Sequence, residues 1–73
     1  MGEVQEKTIA KVDGDRVKAA LLESHMTREE LAKILGISKG TLDQKIIGTR
    51  RWQLDEITTL VKIFNKPFEF FLH

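Results

Sequence analysis

Residues 27–48 read TREELAKILGISKGTLDQKIIG, from Thr27 through Gly36, Ile37 and Ser38 to Gly48, and the order of caps and stops in this stretch decides the fold. Thr27 and Glu30 form a Thr-x-x-Glu capping box, in which a hydroxyl and a carboxylate satisfy backbone N–H groups at a helix start. Leu31, Ala32 and Leu35 then recur at helical spacing until Gly36, which supplies the left-handed backbone of a helix stop. Ile37 is placed to plug the core and Ser38 to cap the next helix, where Leu42 and Ile46 lie four apart on one face before Gly48 ends it. The prediction is two helices joined by a turn of about three residues.

Working outward, Asp13 is a plausible N-cap, and Asp15 falls in the first turn, where the helix dipole favours negative charge. Val17, Ala20 and Leu21, with Ala19 beside them, mark a first helix ending near His25. Downstream, Leu54, Ile57, Leu60, Val61 and Phe64 mark a fourth helix, Asn65 can take a left-handed cap, and Pro67 can open a short last helix through Leu72. The expectation is an all-α, five-helix domain over residues 13–73, preceded by an N-terminal arm, residues 1–12. In that arm Val4, Ile9 and Val12 stand among charges, and a frayed segment and a short extended one both fit.

With 73 residues, the chain is one domain near the lower limit for a core without staples. No cysteine is present, which excludes disulfides, thiolate metal sites and cysteine catalysis. Neither a signal-peptide core nor a membrane-length apolar run occurs, so a cytoplasmic protein with no membrane partner is expected. The Met1-Gly2 start has Glu6 where a myristoylation site needs Ser or Thr. The formal charge is only +1, yet residues 27–52 carry six Lys/Arg against three Asp/Glu, while each flank is net acidic by one. Such a local footprint can steer a chain to phosphates despite a near-neutral total; chance clustering on a solvated helical face explains it equally well.

Two helices joined by so short a turn form a helix-turn-helix, whose second helix can enter a major groove while the first crosses the backbone. Leu31-Ala32, Gly36-Ile37-Ser38, Leu42, Ile46, Gly48, then an aromatic residue and Leu54-Asp55-Glu56-Ile57 together resemble the lambda-repressor and Cro-like helix-turn-helix family, over roughly residues 13–72. The form from Lys45 through Gly48 to Trp52 looks most like the small Cro-type regulators of phages of Gram-positive bacteria.

The resemblance implies operator DNA as partner, with Arg28 on a phosphate at the start of the second helix. Lys39 and Gly40, early in the third helix, would lie at the base edges with Gln44 one turn further on, Thr49, Arg50 and Arg51 would hold phosphates after it, and Ser38 and Asp43 belong to the same DNA-binding set. Lys39 could donate to guanine and Gln44 could pair with adenine. Three departures from the pattern stand out: Ile47 where asparagine is common, Gly40 with no side chain to read with, and Asp43 in the same quadrant as Gly40, Gln44 and Ile47. A carboxylate there can accept from cytosine N4 but repels phosphates, and Ile47 can pack on a thymine methyl. A second role therefore stands beside the first: an antirepressor or modulator of a genetic switch, presenting Lys39, Gly40, Asp43, Gln44 and Ile47 to a partner phage repressor. An antitoxin of this fold is a third.

Among the remaining residues, Lys45 is expected to be solvated, Thr41 to be a first-turn helix residue and Trp52 to be a core plug. Phe64, Phe68 and Phe71 are assigned to the core, and Phe70 to a small interface. His25 and His73 fit no metal or nucleophile pattern. No cofactor, metal or small-molecule substrate is expected, nor an enzyme, because no catalytic constellation or phosphate-cradling loop is present and so short a chain cannot wall off a pocket. The chain ends where the family's domain ends, so any homodimer, expected to be weak, must be built from the helical domain or the arm.

Overall fold

The computed structural model describes residues 12–72, and the arm up to residue 11 and His73 lie outside them. Among the described residues there are four α-helices: α1 (Gly14–Ser24), α2 (Arg28–Leu35), α3 (Lys39–Ile47) and α4 (Leu54–Phe64). A single 3₁₀ turn, Phe68–Phe71, follows. The expected fifth helix is therefore corrected to four residues of tighter coil. Pro67 precedes it in extended conformation, and the chain must bring the Phe71 ring inward within one turn before leaving as an extended strand-like end. There Val12 and Leu72 form an antiparallel bridge, and the Asp13 N–H donates to the Phe71 carbonyl at 2.8 Å.

Local chemistry fixes the helix limits. The Asp13 carboxylate accepts from the Asp15 N–H, and the Thr27 hydroxyl accepts from the Glu30 N–H while Glu30 accepts from the Thr27 N–H. Ser38 Oγ accepts from the Thr41 N–H, so its hydroxyl is spent in capping α3. Each α-helix ends in a left-handed residue, respectively His25, Gly36, Gly48 and Asn65. At Gly36, φ is +75°, a conformation that costs an ordinary side chain energy and lets α3 begin within three residues.

The helices enclose one core. α1 contributes Val17, Ala20 and Leu21, α2 Leu31 and Ala32, α3 Leu42 and Ile46, and α4 Ile57, Leu60 and Phe64, with Trp52 and Phe71 closing the two ends. α3 packs against both α1 and α2, and the 3₁₀ turn lies on α1 and α4. Leu54, expected inside, is 57% exposed, because the buried stripe of α4 is centred on Leu60 and Phe64 and leaves the first-turn leucine at its edge. Phe68 is half-buried. Phe70 is also half-buried, its ring edge-on to Phe71 at 5.1 Å and flanked by Arg16 at 5.0 Å and Lys66 at 5.1 Å. It thus finds its partners within the chain.

Gly14 sets how closely α1 can approach α3. A Cβ on Gly14 would run into the carbonyl oxygen of Ile46, a backbone atom that cannot rotate aside. Gly14→Ala is accordingly expected to cost about 1–3 kcal/mol through overpacking, read as a lowered thermal midpoint. An unchanged midpoint would contradict the close approach.

Candidate nucleic-acid interface

The polar residues of α3 do not stand alone. Arg28 opens α2, directly after the Thr27 cap, and Lys39 opens α3, directly after the Ser38 cap. Both reach Asp43, one turn into α3: Arg28 Nη1 donates to Asp43 Oδ1 at 2.7 Å and Lys39 Nζ to Asp43 Oδ2 at 3.0 Å. One carboxylate therefore joins the first residues of both helices of the motif, and each of its oxygens is taken. The Arg28 hydrogen bond, followed by that of Lys39, holds the Asp43 carboxyl below its ordinary value of 3.8. Because the folded-state value is depressed, whatever the triad contributes to stability is present above the ordinary carboxylate range and lost as pH falls through the lowered value. At neutral pH Asp43 is ionised.

Next to Asp43, Gln44 organises the loop that follows α3. Its backbone carbonyl accepts from the N–H groups of Gly48 and Thr49, at 2.9 Å each, and from the Thr49 hydroxyl at 3.2 Å. Its side-chain Oε1 accepts from Arg50 Nε at 2.8 Å, leaving a second lone pair and both amide hydrogens for another partner. Gly40, Gln44, Thr49, Arg50 and Arg51 are exposed. Ile47 is 74% exposed at the end of the same helix. Of the residues assigned to DNA from the sequence, Arg28, Lys39 and Asp43 form one group and Gln44, Thr49 and Arg50 a second, anchored on consecutive residues of α3, while Ser38 is engaged as the α3 cap.

Lys45 is the correction in this region. Expected in solvent, it is 6% exposed and lies 3.0 Å from the Glu56 carboxylate, which is itself buried. Its ammonium also donates to the Arg51 carbonyl at 2.7 Å, and the Trp52 Nε1–H donates back to the Lys45 carbonyl at 3.0 Å. Glu56 closes the ring by accepting from the Gln53 N–H at 2.8 Å. The side of α3 that faces away from Asp43 and Gln44 faces the core, so a lysine there had to be buried with a partner rather than solvated. Two signals were present: the adjacency of Lys45 to Ile46 in the apolar stripe, and the Gln53-x-x-Glu56 spacing at the start of α4. The pair fixes the backbone of residues 51–53 and thereby the loop bearing Thr49, Arg50 and Arg51.

A model of the helix-turn-helix family matches residues 17–71. The chain belongs to the lambda-repressor and Cro-like helix-turn-helix family. No curated protein and no solved structure is significantly similar to it. The family is one of DNA-binding domains, and within it α2 and α3 are the two helices of the motif. Among the described residues no group of three or more acidic, His or Cys side chains is placed to hold a metal, and no helix is long and apolar enough to cross a membrane.

Proposed function

We propose that the protein is a phage-type transcriptional regulator that lays α3 in the major groove of operator DNA, acts in the cytoplasm and catalyses no reaction. The observation that carries this reading is the sharing of Asp43 between Arg28 and Lys39, beside the Gln44–Arg50 pair. It keeps cations from α2, α3 and the following loop around one helix face, as phosphate and base-edge contacts require. A cation at the first residue of a helix opposes the dipole, so Lys39 is poorly placed for stability and better explained by a ligand. Gly40 presents bare backbone on that face, with only Ser38 Oγ near the place its side chain would occupy.

Arg28 and Lys39 take different roles in this scheme. Arg28→Ala is expected to weaken binding on all duplexes alike and to flatten the salt dependence by about 0.9, one phosphate contact. Lys39→Ala should instead relax discrimination at one or two base pairs. Salt titrations on matched and mismatched duplexes separate the two, and an equal loss of specificity from both would show the roles to be misassigned.

A second reading, an antirepressor that docks α3 on a partner repressor, is favoured by the exposure of Ile47, an apolar anchor on the face that would meet DNA. An electrophoretic shift on the DNA flanking the chain's own gene distinguishes them. The regulator retards that DNA alone. The antirepressor leaves it unmoved and instead removes the shift produced by the neighbouring repressor.

A further inference from the structure

The triad of Arg28, Asp43 and Lys39 does little for the fold. Its members are 34%, 29% and 49% exposed, and exposed ion pairs contribute little to stability. The Lys39–Asp43 pair also runs against the helix dipole, with the cation N-terminal to the anion. Yet the aspartate occupies the position, between the two cations, that a phosphate oxygen would take. Its two oxygens satisfy the same donors that a phosphate would engage.

We propose that Asp43 is a specificity-determining residue that acts by holding Arg28 and Lys39 in an internal ion triad, so lowering affinity for DNA of arbitrary sequence. This rests on the DNA-binding reading above and adds to it a cause for discrimination. Non-specific affinity comes almost wholly from cations on phosphates. In the triad one carboxylate cancels one of two positive charges, and a passing phosphate must displace Asp43 to gain either donor. On a matched site the base-edge contacts of Gln44 and the rest of α3 come in addition and offset that displacement. On a matched site the displaced carboxylate itself finds a donor, the N4 amino group of a cytosine, so the penalty is left uncompensated only on other duplexes.

The test compares wild type, Asp43→Asn and Asp43→Glu on a random-sequence duplex and on the duplex that wild type enriches from a random pool, between about 50 and 200 mM salt. Asp43→Asn should bind the random duplex about ten-fold more tightly at the lower salt, with a slope of log affinity on log salt steeper by about 0.9, one released counterion. The enriched duplex should gain less, so the ratio between the two falls. Asp43→Glu, which keeps the charge within reach of both cations, should retain the wild-type slope. Adding Arg28→Ala and Lys39→Ala should abolish the gain of Asp43→Asn, an outcome that a merely structural aspartate would not give. A thermal melt confirms that each variant is folded. If wild type binds duplexes and Asp43→Asn binds the random one no better, with the same slope, or if wild type enriches no sequence, the role given to Asp43 is wrong. If neither binds any duplex, the DNA-binding reading itself falls and the inference with it.

Discussion

Lys45→Ala is expected to remove a large share of the protein's stability at neutral pH. The change deletes the ammonium that faces Glu56 at 3.0 Å and removes the donor to the Arg51 carbonyl. Breaking a buried pair by removing one partner costs roughly 3–5 kcal/mol, since the other charge is left without compensation. A domain of this length holds on the order of 4–11 kcal/mol in all. The cost comes from the unpaired carboxylate rather than from the value of the bridge, which gives the prediction its sharper half. Lys45→Met with Glu56→Gln removes both charges, fills the space with apolar chain and keeps an oxygen to accept from the Gln53 N–H. That double variant should recover most of the lost stability. Denaturant unfolding of the three proteins measures it, and a double variant as unstable as Lys45→Ala would show that the charges themselves are required.

Trp52→Ala should lower the melting temperature by on the order of 15 °C or more, from a loss of about 3–5 kcal/mol. The ring is 7% exposed and closes the core between α3 and α4, and its Nε1–H satisfies the Lys45 carbonyl. Truncation leaves a cavity and withdraws that donor together, so the two costs fall on the same turn of α3. Leu54→Ala is the internal comparison. Its side chain is mostly exposed, and the same class of substitution there should change the midpoint by little. Equal effects from both would place the core boundary wrongly.

The two predictions sit on residues that the sequence disclosed to different degrees, and the difference has a physical cause. Trp52 was legible as a plug because it stands between a glycine stop and an apolar helical stripe. The caps at Asp13, Thr27, Ser38 and Asn65 were legible for the same reason: each is decided by neighbours within four residues. Lys45 was legible only in part: its place beside Ile46 and the Gln53-x-x-Glu56 spacing were local, but a helical wheel does not show what lies against a helix, and the partner, Glu56, comes from the next helix. Leu54 erred in the opposite sense, sharing a spacing with Ile57 without sharing its neighbours. The 3₁₀ turn depends on the pairing of Val12 with Leu72, a contact between opposite ends of the domain that no local pattern carries. At the interface the residue types were readable and their mutual engagement was not. Asp43 stood out as an acidic residue on the second helix of the motif, and only the fold brings Arg28 and Lys39 to it.

The most direct test of a DNA-docking α3 is a titration of ¹⁵N-labelled protein with a random-sequence duplex at low salt, followed through backbone amide shifts. If α3 enters the groove, the perturbed amides are those of Arg28, of residues 38–44 and of residues 49–51, while Phe68–Phe71 and the buried residues of α4 stay in place. Absence of any shift in the presence of duplex, or shifts confined to α1 and the 3₁₀ turn, would contradict it.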